Sequence, residues 1–188
     1  MVNGSKTEKE LVNAFAGESQ ARNRYTIYSS IAKKEGFIQI ANIFLETAEN
    51  EREHAKIFYK HLSNGPKEVH ATYPFFVGTT GENLKAASLG ERAEWETIYR
   101  KSSEIARDEG YKDVSRTFLN IIEVEKHHDH RFTELYNNIV NNTTFEKEDN
   151  AQWICTKCGY IAITKTAPKK CPVCGHPYNY YQIFTEKY

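Results

Sequence analysis

Before residue 155 the chain contains no cysteine. It also has no excess of either charge, no long apolar run and no basic-then-apolar leader. Each absence removes a class of function. Twenty-five acids against 25 bases give a formal net charge of zero, so broad phosphate neutralisation of a nucleic acid is not expected. No stretch approaches the roughly 20 apolar residues that span a bilayer, and the polar start MVNGSKTEKE lacks the order of a secretory signal. The expectation is a cytoplasmic chain with neither a membrane nor a nucleic acid as partner. The four cysteines that do occur lie between 155 and 174 as two C-x-x-C pairs. That spacing belongs to a metal site in a reducing compartment rather than to a disulfide framework.

With 188 residues there is enough chain for one good-sized core and a small appendage. Residues 5–62 read as two helices broken near Gly36, and 80–140 as two more broken near Gly110, glycine being a common helix stop. Ser63–Gly81, with SNGP and YPFFVGTTG, is long for a hairpin loop and reads as a crossover between two helical hairpins. The polar stretch NNTTFEKEDN leads into a region rich in Trp, Tyr, Pro, Gly and Cys. The boundaries drawn are 1–142 for the helical domain, 143–150 for a linker and 151–188 for a metal domain.

The two hairpins are an internal repeat. IAKKEGF (31–37) matches IARDEGY (105–111) at an offset of 74, which also pairs Phe44 with Phe118, Glu51 with Glu125, His54 with His128 and Phe58 with Phe132. Gly17-Glu18 matches Gly90-Glu91 at 73, so one residue slips in between. Such a repeat packs on itself as a four-helix bundle with a pseudo-symmetric centre.

What occupies that centre follows from the interior stripes, which advance by alternating three- and four-residue steps. They run Leu11, Phe15, Glu18, Arg22, Tyr25; Ile40, Phe44, Thr47, Glu51, His54, Phe58; Leu84, Ala87, Glu91, Glu94, Ile98; and Val114, Phe118, Ile121, Glu125, His128, Phe132, Leu135, Ile139. Five glutamates and two histidines therefore stand where leucines belong. Burying one unpaired carboxylate costs several kcal/mol, and five would exceed the roughly 5–15 kcal/mol net stability of a domain. Arg22 is the only obvious cation on the stripes. Two metal ions supply the missing charge, and one Glu from each of two helices with Glu-x-x-His from each of the others is the general ligand pattern of di-iron bundles. Here these are Glu18 and Glu91, with Glu51…His54 and Glu125…His128. A single Glu-x-x-His usually sits on a solvated face; two in register with a repeat are another matter. Glu94, whose counterpart is Ala21, is a carboxylate in excess, able to exchange with another ligand. Tyr25 and Tyr99 are placed to hydrogen-bond the inner carboxylates. His61, His70, His127, His130 and His176 are assigned no role.

Cys155, Cys158, Cys171 and Cys174 form two knuckles, each followed by a glycine that frees the backbone to turn its N–H groups toward sulfur. The spacing points to one tetrahedral metal and leaves zinc and iron open. Trp153, Tyr160, Tyr178, Tyr180, Tyr181 and Phe184 supply a small aromatic core.

The segments AFAGESQARNRY, ETAENEREHAK, GERAEWETIY, EKHHDHRF, CTKCGY and CPVCGHP make the chain resemble the rubrerythrins from about Thr7 onward. The resemblance implies a mainly α protein: a ferritin-like four-helix bundle with a long crossover, then a small rubredoxin-like domain of β-strands and knuckles. It implies two non-haem irons in the bundle and one iron on Cys155, Cys158, Cys171 and Cys174. It further implies an oxidoreductase that reduces hydrogen peroxide to water in oxidative-stress protection. Electrons would come from a reduced pyridine nucleotide through external redox proteins. By the same resemblance Glu51 and Glu125 bridge the irons, Glu18, Glu91 and His128 are terminal ligands, and Glu94 and His54 trade places on one iron. A homodimer would set the cysteine domain of one subunit beside the bundle of the other. Arg92-Ala93 and Trp95, around Glu94, depart from what the family often carries. The competing readings are a ferroxidase or iron-handling protein and a non-catalytic scaffold with a zinc ribbon.

Overall fold

The computed structural model describes residues 2–186. Helix α1 (Lys6–Lys34) and α2 (Ile38–His61) form the first hairpin. The second joins α3 (Thr80–Ala93), a π-helical turn (Glu94–Ile98) and α4 (Tyr99–Asp108) into one rod, followed by α5 (Lys112–Val140). The four rods are the expected bundle, and the crossover runs along the outer side of α1. It is pinned there by Tyr28 Oη donating to Phe76 O (2.8 Å) and Tyr73 Oη donating to Asn13 O (2.7 Å).

The repeat is reproduced bond by bond. Gly36 and Gly110 adopt positive φ (88° and 87°), where a Cβ would be strained. Around them Phe37 N donates to Ala32 O and Tyr111 N to Ala106 O, both at 2.8 Å, closing the same helix-ending motif twice. Ser29 Oγ donates to Ala41 O (2.8 Å) and Ser103 Oγ to Ser115 O (3.1 Å) across the two hairpins. The glutamate of each turn then crosses to the other half. Glu35 accepts from Thr80 N (2.9 Å) at the start of α3, and Glu109 accepts from Thr7 N (2.8 Å) at the start of α1. In both cases a carboxylate sits at a helix N-terminus, where free N–H groups and the helix dipole favour it.

The one-residue slip in the repeat has a structural counterpart. Pairing is at 73 through Glu91 and at 74 from Tyr99, and the π-helical turn lies between the two. Tyr99 N bonds Glu94 O, five residues back, which is how an α-helix absorbs a single inserted residue. The insertion corrects one expectation. Ile98, placed inside by regular spacing, is 48% exposed, while Tyr99 is 1% exposed, because the wider turn rotates the phase of everything after it.

Two apolar layers close the bundle. One gathers Tyr25, Tyr28, Phe44, Leu84 and Phe132; the other Leu11, Phe58, Tyr99, Val114 and Phe118. The inward glutamates and histidines lie between them.

Beyond α5, β1 (Glu146–Cys155) pairs antiparallel with β2 (Ile161–Thr166) and β3 (Tyr181–Ile183), in the order β2-β1-β3. The beginning of β1, residues 146–150, lies in the stretch read as linker, with Glu146 paired to Thr166. Just before it Phe145 stacks on Phe37 at 6.1 Å and meets Tyr178 edge-on at 4.9 Å. The junction is thus clamped by aromatics at the α1–α2 end of the bundle. Trp153 is fully buried and its Nε1 donates to Thr164 O (2.9 Å), centring the small core with Cys155, Cys171 and Tyr181.

Candidate metal centres

The carboxylates converge because the repeat places one Glu-x-x-His on α2 and another on α5, each turned inward at the same height. Glu18, Glu51, Glu91, Glu125 and His128 are at most 1% exposed and His54 is 6% exposed. His54 Nδ1 lies 2.9 Å from Glu51 Oε2, 2.9 Å from Glu125 Oε1 and 3.8 Å from Glu18 Oε2. His128 Nδ1 lies 2.8 Å from Glu125 Oε2, 3.2 Å from Glu51 Oε1 and 3.8 Å from Glu91 Oε2. Two four-atom clusters result, each with its atoms within 4.8 Å of one another: Glu18, Glu51, His54, Glu125 and Glu51, Glu91, Glu125, His128. Glu51 and Glu125 belong to both, which is the geometry of carboxylates shared between two cations.

Of the atoms that face inward, Glu51 Oε2 is paired with His54 Nδ1, while Glu18 Oε2, Glu51 Oε1, Glu91 Oε2, both oxygens of Glu125 and His128 Nδ1 are left without hydrogen bonds. Buried orphans cost about 1–3 kcal/mol each, more when charged. Here they all point at common centres, as ligands do. The outward atoms are already satisfied. Tyr25 Oη donates to Glu91 Oε1 and Tyr99 Oη to Glu18 Oε1, the latter at 2.5 Å. Each tyrosine serves the glutamate of the other hairpin and leaves Oε2 free. His128 Nε2 lies 3.3 Å from Asn50 Oδ1; donating there keeps Nδ1 bare toward the cage. Asn50 has no signal in the sequence, since its counterpart in the repeat is Val124.

The electrostatics give the same answer. Burial raises the Glu18 carboxyl well above its ordinary range, and burial with the charge of Glu51 pushes Glu91 up to about 8. Burial opposes ionisation of Glu51 too, but His128 and His54 outweigh it and hold it down to about 2. Burial disfavours the His128 cation, yet Glu125 and Glu51 push it up to about 12; His54 is raised by the same balance. The shifts show that the cage favours positive charge at its centre, which a bound cation would supply in place of protons on the imidazoles. Arg22 does not serve: its guanidinium turns outward to Glu49 at 3.7 Å. Among the described residues no lysine or arginine forms an ion pair with the six.

Glu94 stands apart from both clusters. It is half-buried at the head of the π-helical turn, and burial together with Glu18 and Glu91 raises its pKa well above the usual carboxylate range. It lines a cavity of about 470 Å³ between α1, the crossover and α3. The turn that carries it is tied to α5 by a group the sequence did not reveal. Asp129, 5% exposed, accepts from Ser88 Oγ (2.7 Å), Arg92 Nε (3.0 Å) and Trp95 Nε1 (3.1 Å). Arg92 and Trp95 were legible only as unusual neighbours of Glu94.

In the C-terminal domain the four sulfurs also lie within 4.8 Å of one another. Cys155–Cys174 and Cys158–Cys171 are 3.7 and 3.6 Å apart, too far for disulfides. A tetrahedron of thiolates about 2.3 Å from a metal has edges of about 3.8 Å. Gly159 N donates to Cys155 O and Gly175 N to Cys171 O, both at 2.9 Å, with φ of 76° and 74° at the two glycines. The knuckles are copies of one another.

The family model described as rubrerythrin matches residues 9–136, and that of the rubrerythrin rubredoxin-like domain matches 153–182. The chain belongs to the rubrerythrin family. Rubrerythrin-1 of Clostridium acetobutylicum is 53% identical over 98% of this chain and 97% of its own length. Rubrerythrin of Porphyromonas gingivalis is 46% identical over 100% and 94%. Among solved structures, nigerythrin in a mixed-valence state is 27% identical with a TM-score of 0.62, covering 98% of this chain and 92% of that one. A mycobacterial bacterioferritin, 19% identical with a TM-score of 0.67 over 75% and 89%, shares the fold. As in a rubrerythrin, the cofactors are two non-haem irons in the bundle and one iron in the four-cysteine site, and both sets of side chains fit them.

Proposed function

We propose that the protein is a cytoplasmic peroxidase that reduces hydrogen peroxide to water. Electrons would originate in a reduced pyridine nucleotide and arrive through a separate redox protein and the four-cysteine iron. The observation that carries this reading is a complete six-ligand cage with a seventh carboxylate, Glu94, held beside it and facing a cavity. Bound in the cage, a reduced iron pair supplies two electrons at one place, as cleavage of an O–O bond to water requires. The chain's own residues do the rest. Glu51 and Glu125, common to both clusters, would be shared between the two metals, and Glu18, Glu91 and His128 would each hold one of them, while Tyr25 and Tyr99 keep Glu91 and Glu18 in line. His54, inside the cage, and Glu94, held beside it, would be alternative ligands to one metal, the imidazole suiting a lower charge and the carboxylate a higher one. The apolar layers above and below exclude water from the cage.

The reading includes a homodimer. Within one chain the cysteine domain docks by Phe37, the residue that caps the start of α2, 14 residues before Glu51, about 21 Å away at 1.5 Å per residue. A second copy would bring a cysteine site beside the cage. Among the described residues no helix is long and apolar enough to cross a membrane.

Stopped-flow mixing of the anaerobically reduced protein with hydrogen peroxide and, separately, with oxygen tests the reading. Rapid oxidation by peroxide and slow oxidation by oxygen is the expected result. Faster reaction with oxygen, or mineral formation on loading with ferrous iron, would replace it with a ferroxidase.

A further inference from the structure

The cavity that Glu94 faces does not match the size of the proposed substrate. Water occupies about 30 Å³ in the liquid and hydrogen peroxide is little larger, whereas the cavity measures about 470 Å³. Its volume and walls are those of a site for an organic molecule. The walls are mostly apolar, with Ala14, Ala86, Leu89, Ala93 and Ile98 among them, and Leu89 and Ile98 remain 54% and 48% exposed. Tyr73 and Pro74 of the crossover bound it on the outer side, with the Tyr73 ring 3.4 Å from where a Cβ on Gly17 would lie. Where it meets the cage stand Glu94 and Tyr99, the latter bonded to Glu18, with Gly17 and Gly90 next to Glu18 and Glu91 in the chain. An apolar chamber therefore ends on the carboxylate proposed to move.

We propose that this cavity binds the hydrocarbon part of alkyl or aryl hydroperoxides, so that the protein reduces organic hydroperoxides as well as hydrogen peroxide. The inference rests on the peroxidase reading above. The tail lies against Ala86, Leu89 and Ile98 and the peroxide group points past Glu94. The O–O bond breaks with two electrons, one from each iron of the reduced pair. With two protons the fragments leave as an alcohol and water, and the external one-electron donor restores the irons through the four-cysteine site. Glycine at 17 and alanine at 14, 86 and 93 keep the chamber open.

The reduced iron-loaded protein is mixed in stopped flow with hydrogen peroxide, tert-butyl hydroperoxide and cumene hydroperoxide. Cumene hydroperoxide is expected to oxidise it within tenfold of the hydrogen peroxide rate. Ala86→Phe and, on the open rim, Leu89→Trp each lower the cumene-to-hydrogen-peroxide rate ratio at least tenfold. Equilibrium dialysis of 2-phenyl-2-propanol against the oxidised iron-loaded protein is expected to show one bound molecule per chain, weakened at least tenfold in both variants. Turnover of hydrogen peroxide alone, or a ratio unmoved by both substitutions, overturns this inference and leaves the peroxidase reading intact. Failure of all three peroxides overturns both.

Discussion

The two helical hairpins are near copies, and the places where they differ are the informative ones. Each contributes a glycine-ended turn, a serine staple, a glutamate reaching across to the other half, a tyrosine holding the other's carboxylate, and one Glu-x-x-His. Only the second has an extra residue, absorbed as a π-helical turn, and only there does a seventh carboxylate appear. Where the second half carries Trp95 and Asp129, the first carries Arg22 and Ala55. Symmetry builds the cage, and the break in symmetry equips one side of it with an extra carboxylate and a chamber.

The shared part can be broken most severely at the two carboxylates common to both clusters. Glu51→Ala and Glu125→Ala are expected to lose both bundle irons equally, leaving the four-cysteine iron in place, as metal analysis with a visible spectrum reports. If one variant kept its irons, the two halves would not be equivalent ligand donors. A smaller effect should appear where the halves differ. Trp95→Phe removes a hydrogen bond to the buried charge of Asp129, a loss of about 1.5–3 kcal/mol in denaturant unfolding. It should also slow reaction of the reduced protein with peroxide, since Glu94 rides on the same turn. Its counterpart, Arg22→Ala, loses only an exposed pair with Glu49, worth under about 1 kcal/mol. The smallest effect concerns the crossed caps. Hydrogen bonds from Thr7 hold the Glu109 carboxyl below its ordinary value of 4.5. A group with a depressed folded pKa stabilises above its unfolded value and ceases to as pH falls through the folded one. The stability gap between wild type and Glu109→Gln should therefore be steady above about pH 5 and close below 4.5, measured by urea unfolding at a series of pH values.

Much of this was legible in the residues. The 74-residue offset exposed the repeat, the inward stripes exposed the buried glutamates and histidines, and the step from 73 to 74 showed one extra residue in the second half without saying what form it takes. Ile98 was misplaced because regular spacing carries no record of a widened turn. The start of β1 was taken for linker because charged residues such as Glu146, Lys147 and Glu148 carry no apolar alternation on a strand whose first residues are exposed. Asp129 and Asn50 were invisible because their roles depend on partners 34 or more residues away.

The order of amino acids alone determined most of the side chains that are inside, Ile98 and Arg22 excepted, because helical periodicity turns spacing into direction. It equally determined the four-cysteine site, whose ligands lie within twenty residues and need only two glycine turns to meet. Which imidazole touches which carboxylate, which tyrosine crosses to which glutamate, and that Glu94 stands off while His54 joins the cage were decided by tertiary structure. Those choices depend on ångström-scale separations between residues some 70 positions apart, and only the packing of two hairpins against each other sets them.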